Sequence, residues 1–173
     1  SHPDPAIRIA LVSLLARASG IGGMAGGQML DLEAEGRFAP DRRPLSLDPK
    51  EIERLQAMKT GALLAAACEA GAIIGKASAE HRRALADYTR AFGLAFQLSD
   101  DLIDAEGNTQ IVGKRTHKDA DHGKATLVRE LGVPAARKRL SDLVEGAEGA
   151  LLPFGAKAAM LNSAARFLLR RDR

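Results

Sequence analysis

Between Phe96 and Asp104 the sequence FQLSDDLID cuts a polar, acidic face into an otherwise apolar helical run. Positions i, i+3, i+4 and i+7 of a helix share a face. Gln97, Asp100, Asp101 and Asp104 therefore project together over about 10 Å at the usual rise per residue. Leu85, Tyr88, Phe92, Leu94, Phe96, Leu98, Leu102 and Ile103 crowd the same helix, so much of its circumference is buried and its carboxylates need partners. The competing reading is a solvated acidic stripe. Three clustered carboxylates repel one another unless a cation sits among them. Hard oxygen ligands suit Mg²⁺, which takes one or two carboxylates together with phosphate oxygens and water. A metal-bridged phosphate ester is the first chemistry to expect.

The rest of the chain agrees with helix. Of 173 residues, 46% are hydrophobic but only 3% aromatic, and Ala and Leu dominate, which favours an all-α fold with a single core. The lone cysteine, Cys68, excludes an intramolecular disulfide framework and reads as a small core residue suited to a reducing cytoplasm. The longest apolar run lies near residues 61–68 and no secretory pattern opens the chain, so no membrane span is expected. A net charge of +3, with few aromatic side chains for stacking, gives no footprint for nucleic acid.

Helix punctuation is frequent. Asp4 or Ser1 caps a first helix with Pro5 in its opening turn, ending at Gly20, and a second runs over 24–36. After a loop over 37–47, Asp48-Pro49-Lys50-Glu51 places Asp at N-cap, Pro at N1 and Glu at N3. That helix carries Ile52, Leu55, Met58, Leu63 and Leu64 and fades over 71–75. Ser78 caps the long helix over 79–106, ended by Gly107-Asn108. A basic loop with Lys114, Arg115, His117, Lys118 and Lys124 follows, then helices over 126–131, from Pro134 through Val144, and over 153–169. The glycines of 20–27 read as close helix packing, because no strand precedes them and no GK[ST] follows.

Three smaller polar signals accompany the acidic face: Lys59-Thr60 inside an apolar helix, the loop lysines Lys114 and Lys124, and Gln28 with Asp31 one turn apart. Taken singly, each reads as a solvated side chain or an interior polar contact.

Together they form a more specific pattern. GGQMLDLEAEG (26–36), MKTGALL (58–64), GLAFQLSDDLIDAEGN (93–108), Gly113-Lys114 and DHGKAT (121–126) resemble, in order and approximate spacing, the trans-isoprenyl diphosphate synthase family, the polyprenyl synthetases, and most of all its short-chain bacterial farnesyl-type members. The resemblance implies an isoprenoid-synthase helical bundle around a deep cavity, normally a homodimer. It implies head-to-tail condensation of an allylic diphosphate with isopentenyl diphosphate, giving a farnesyl or geranylgeranyl product. Asp100, Asp101 and Asp104 would be the second aspartate-rich motif, holding Mg²⁺. Lys59, Lys114 and Lys124 would clamp the diphosphate, Thr60 and Gln97 would offer oxygen dipoles to the allylic cation, Phe96 would exclude water, and Gln28 and Asp31 would line or brace the site. In this assignment Lys59, Thr60, Gln97 and Asp100 are the catalytic group.

The family's first aspartate-rich motif and the arginine pair after it have no counterpart upstream of Asp100. Residues 1–173 thus read as the C-terminal half of one polyprenyl synthetase domain, a truncated bundle expected to be inactive alone and to expose apolar helix faces. A non-catalytic helical partner of a prenyl synthase is the alternative. Asp100-Asp101-Leu102-Ile103-Asp104 argues against a terpene cyclase, and His117, Asp119, Asp121 and His122 read as loop residues rather than a zinc site.

Overall fold

Each helix starts where the sequence offers a cap. The computed structural model describes residues 2–112, 128 and 131–171. Asp4 caps α1 (Pro5–Ser19), its carboxylate accepting from the Ala6 amide at 2.9 Å, and Gly20 closes the helix. Helix α2 spans Met24–Ala34. At α3 (Pro49–Gln56) the capping box forms in full: Asp48 Oδ1 accepts from the amides of Lys50 (2.8 Å) and Glu51 (2.9 Å), and Glu51 Oε2 accepts from the Asp48 amide at 2.8 Å. Ser78 Oγ accepts from the His81 amide at the start of α5 (Ala79–Val112). Helices α4 (Ala62–Ile74), α6 (Val133–Ala150) and α7 (Ala159–Phe167) follow, and no strand occurs among the described residues.

Three boundaries differ from expectation. The helix that begins at Asp48 is not continuous: a π turn over Ala57–Gly61 separates α3 from α4. Helix α5 runs on past Gly107-Asn108 to Val112, because neither residue removes a backbone donor and their propensity costs, about 1 kcal/mol for Gly and less for Asn, do not stop an established helix. The last helix is broken into a 3₁₀ turn, Leu152–Ala158, and α7, because Gly155 adopts φ 53°, ψ −135°. Of the expected helix over 126–131, only Val128 and Leu131 are described; Lys114, Lys124 and the His117 to His122 group lie outside the described residues.

The core lies on one side of α5. Ala95, Leu98 and Leu102 pack against Leu140, Val144 and Ala147 of α6 and Leu168 near the C-terminus, with Leu98, Val144 and Leu151 fully buried. Burial of each Leu or Val contributes roughly 1.5–3 kcal/mol. Tyr88 Oη donates to the Leu161 carbonyl at 3.0 Å and Ser99 Oγ to the Leu168 carbonyl at 3.2 Å, tying α5 to the C-terminal segment. Burial pushes the Tyr88 phenol up to about 12, so it remains a donor throughout the physiological range.

The opposite side is less covered. Ile9, Val12 and Leu15 on α1 are 68%, 69% and 60% exposed, an uncovered apolar face of the kind the sequence leads one to expect. Pro5–Ala34 and Pro49–Ile74 are apolar and long enough, by length and composition alone, to cross a bilayer, a property that the count of uninterrupted apolar residues does not reveal. The first is broken between α1 and α2, and the second holds the π turn with a charged Lys59; bundle helices of soluble proteins meet the same criterion.

Glycines set the spacing of α2, the π turn and α5. A Cβ on Gly27 would stand 2.3 Å from the Lys59 backbone nitrogen, and one on Gly93 would stand 3.3 Å from Gly61 Cα. The glycine-rich segment therefore serves helix packing. Gly27→Ala forces backbone apart, and urea unfolding should show a loss of about 1–3 kcal/mol; an unchanged midpoint would mean that α2 moves away freely.

Candidate functional site

The π turn distributes neighbouring side chains to different helices. A π turn inserts one extra residue into the helical repeat. Lys59 Nζ lies 2.5 Å from Asp31 Oδ2 of α2, while the next residue, Thr60, donates its hydroxyl to Gln97 Oε1 of α5 at 3.3 Å. Gln97 Nε2 in turn donates to Asp101 Oδ1 at 3.4 Å, and Gln56, the last residue of α3, donates from Nε2 to Asp101 Oδ2 at 3.2 Å. Both oxygens of one carboxylate thus accept amide protons from two different helices.

Asp100 has a different partner. Arg171 Nη1 stands 2.6 Å from Asp100 Oδ1, an ion pair without hydrogen-bond alignment, and its guanidinium lies 5.0 Å from the centroid of the Phe96 ring. Asp104 is exposed on the same helix. Gln28 is half-buried one turn before Asp31, with no side-chain hydrogen bond among the described residues. The structure therefore brings together Asp31, Lys59, Thr60, Phe96, Gln97, Asp100 and Asp101, leaves Asp104 and Gln28 beside them, and does not describe Lys114 or Lys124.

Asp101 carries the electrostatic stress of the site. Burial, first of all, lifts its carboxyl from 3.8 to about 6; the amides of Gln97 and Gln56 pull down, and the negative charges of Asp100 and Asp104 add to the rise. A nearby cation would relieve this stress. Among the described residues no three acidic, His or Cys side chains converge to enclose an ion. The donor set is an open acidic face, which fits Mg²⁺ as one side of a shell completed by phosphate oxygens and water.

A groove of about 770 Å³ runs between α1, α4 and α5. Its wall includes Gly61, Ala62, Ala65, Gly93 and Leu94, but none of Lys59, Gln97 or the aspartates, so it adjoins the polar network without containing it. Cys68 also faces this groove, its thiol pushed up by burial and thus kept protonated.

Sequence reasoning missed two members of the network. Gln56 is only 7% exposed and lies four residues before Thr60, a helical interval that could have flagged it as a polar interruption on the same apolar face. Nothing in the local pattern marks Arg171, whose role comes from the tertiary fold.

The polyprenyl synthetase family model matches residues 6–150. The chain is 40% identical over 172 residues to farnesyl diphosphate synthase of Escherichia coli K12, covering 96% of this chain and 54% of that protein. It is 38% identical to geranylgeranyl pyrophosphate synthase 9 of Arabidopsis thaliana, covering 96% and 44%. Among solved structures, an FPP/GFPP synthase from Zymomonas mobilis in its apo form superposes with a TM-score of 0.81 at 42% identity, covering 96% of this chain and 52% of that one. A geranyltransferase from Helicobacter pylori, complexed with magnesium and isoprenyl diphosphate, gives 0.72 at 26% identity, covering 96% and 52%. The chain spans about half the length of the curated relatives it matches.

Between pH 3.8 and 6 the folded chain holds a proton on Asp101 that the unfolded chain has lost, so the stability present below pH 3.8 declines as pH rises to about 6. A side-chain amide at this position would not titrate. In urea titrations, Asp101→Asn should exceed the parent by on the order of 1–3 kcal/mol above pH 6, with the difference closing below pH 4; parallel curves at every pH would show that Asp101 is not stressed.

Proposed function

Because the chain belongs to the polyprenyl synthetase family, we propose that it forms the diphosphate-receiving wall of a short-chain prenyltransferase that joins an allylic diphosphate to isopentenyl diphosphate. The observation that carries this reading is the π turn, which sets a lysine and a hydroxyl side by side at the edge of a carboxylate face. Relatives named farnesyl diphosphate synthase, dimethylallyltranstransferase and geranylgeranyl pyrophosphate synthase support it. The product is one isoprene unit longer than the allylic substrate, farnesyl or geranylgeranyl diphosphate.

Asp100, Asp101 and Asp104 would hold Mg²⁺; that the similar Helicobacter pylori geranyltransferase is complexed with magnesium and isoprenyl diphosphate supports magnesium–diphosphate chemistry in a chain of this fold. When bound, the ion neutralises charge on the leaving diphosphate. The remaining work belongs to the side chains. Lys59 turns its ammonium from Asp31 to the diphosphate oxygens, where it stabilises the charge that builds as the C–O bond breaks, more in the transition state than in the ground state. Lys114 and Lys124 join it as point charges. Thr60 and Gln97 present oxygen dipoles to the allylic cation, and Phe96 keeps water from it. Arg171, which pairs with Asp100 here, would have to release that carboxylate for it to hold Mg²⁺.

The active unit is proposed to be a homodimer in the cytoplasm, and this chain, which spans about half the length of its curated relatives, is proposed to be inactive alone. At the full length of the relatives, Mg²⁺-dependent diphosphate release with a longer prenyl product is expected. Asp100→Ala should then lower turnover roughly 10²–10³-fold with helicity by circular dichroism unchanged. Unchanged turnover would remove the central role of the acidic face, and no release from the folded parent would favour the non-catalytic partner.

A further inference from the structure

Packing alone does not explain the presence of Gln56 in the network. It is 7% exposed, it donates from Nε2 to Asp101 Oδ2 at 3.2 Å, and its Oε1 is buried without a hydrogen-bond partner. A buried amide with an unused acceptor is costly, and an apolar side chain of the same size would fill the space without that cost. The amide cannot gain by flipping, because Oε1 would then face a carboxylate that, when ionised, only accepts. What the position supplies is therefore a donor aimed at Asp101.

Its place in the chain adds a second consequence. Gln56 ends α3 and immediately precedes the π turn that carries Lys59 and Thr60. Its hydrogen bond, beside that of Thr60 to Gln97, thus joins the segment presenting the cation to the helix presenting the acids. Gln97 holds the other oxygen of Asp101, at 3.4 Å, from one turn back on the same helix. Among the described residues, only Gln56 holds it from across an interhelical contact.

We infer that Gln56 is a positioning residue that fixes the Asp101 carboxylate for the metal–diphosphate complex and keeps the π turn in register with the acidic face. It touches no substrate; it acts through Asp101. The inference rests on the magnesium and diphosphate reading of this site.

The test is titration calorimetry, at the full length of the relatives, with Mg²⁺ in the presence of inorganic diphosphate, using Gln56→Met, which keeps volume without a donor, and Gln56→His, which restores an N–H. Gln56→Met should weaken binding about tenfold, and Gln56→His should recover it to within about threefold of the parent. In an Asp101→Ala background, Gln56→Met should cost nothing further, since its effect passes through Asp101. Equal binding by Gln56→Met and the parent overturns the inference and leaves the site reading intact. An equal loss in both backgrounds also overturns it, because a purely structural residue behaves that way. If the parent itself binds no Mg²⁺ with diphosphate, the site reading fails and the inference falls with it.

Discussion

Close backbone approach at glycines is the constraint on which the site depends. Gly27 lets α2 lie against the backbone of Lys59, and Gly93 lets α5 lie against Gly61, so the π turn is held from both sides by main chain rather than by side chains. Such contacts leave little freedom for the turn to shift. They hold Lys59 within reach of Asp31 and Thr60 within reach of Gln97, although the two residues are adjacent in sequence. The extra residue of the π turn shifts the register between the helix before it and the helix after it by about 100°, so a regular helix through 56–62 could not keep Gln56, Lys59 and Thr60 all on their present partners.

Around that turn the charges are arranged in tension. Asp101 is half-buried beside two other carboxylates and, among the described residues, is satisfied only by neutral amides, while Lys59 is paired with Asp31 and Arg171 with Asp100. Both of these cations are partnered within the protein, and each pair is partly exposed, so the exchange of partners for a phosphate or a metal costs less than breaking a buried pair would. Folding energy from the α5–α6 core, on the far side of the same helix, holds the acidic face in place against its own repulsion.

Local chemistry was readable from the sequence and long-range chemistry was not. Asp48 and Glu51 announce their cap because all the atoms involved lie within one turn. The acidic face of α5 is likewise a property of spacing. The π turn has no such local signature: residues 57–61 are ordinary helix formers apart from Thr60 and Gly61, and the bulge arises from packing against α2 and α5. Gln56 and Arg171 escaped notice for the same reason, since their partners lie on α5, distant in sequence. Gly107-Asn108 misled in the other direction, a stop signal overridden by helix propagation.

The most direct measurement is crystallographic: Mn²⁺ and inorganic diphosphate bound to the chain, with the metal located by its anomalous signal. Metal on the acidic face at Asp100 and Asp101, Lys59 turned from Asp31 to the diphosphate and Arg171 displaced from Asp100 is the expected result. Metal elsewhere, with the Lys59–Asp31 and Arg171–Asp100 pairs intact and diphosphate absent from the π turn, would contradict the assignment of this surface as the diphosphate-receiving wall.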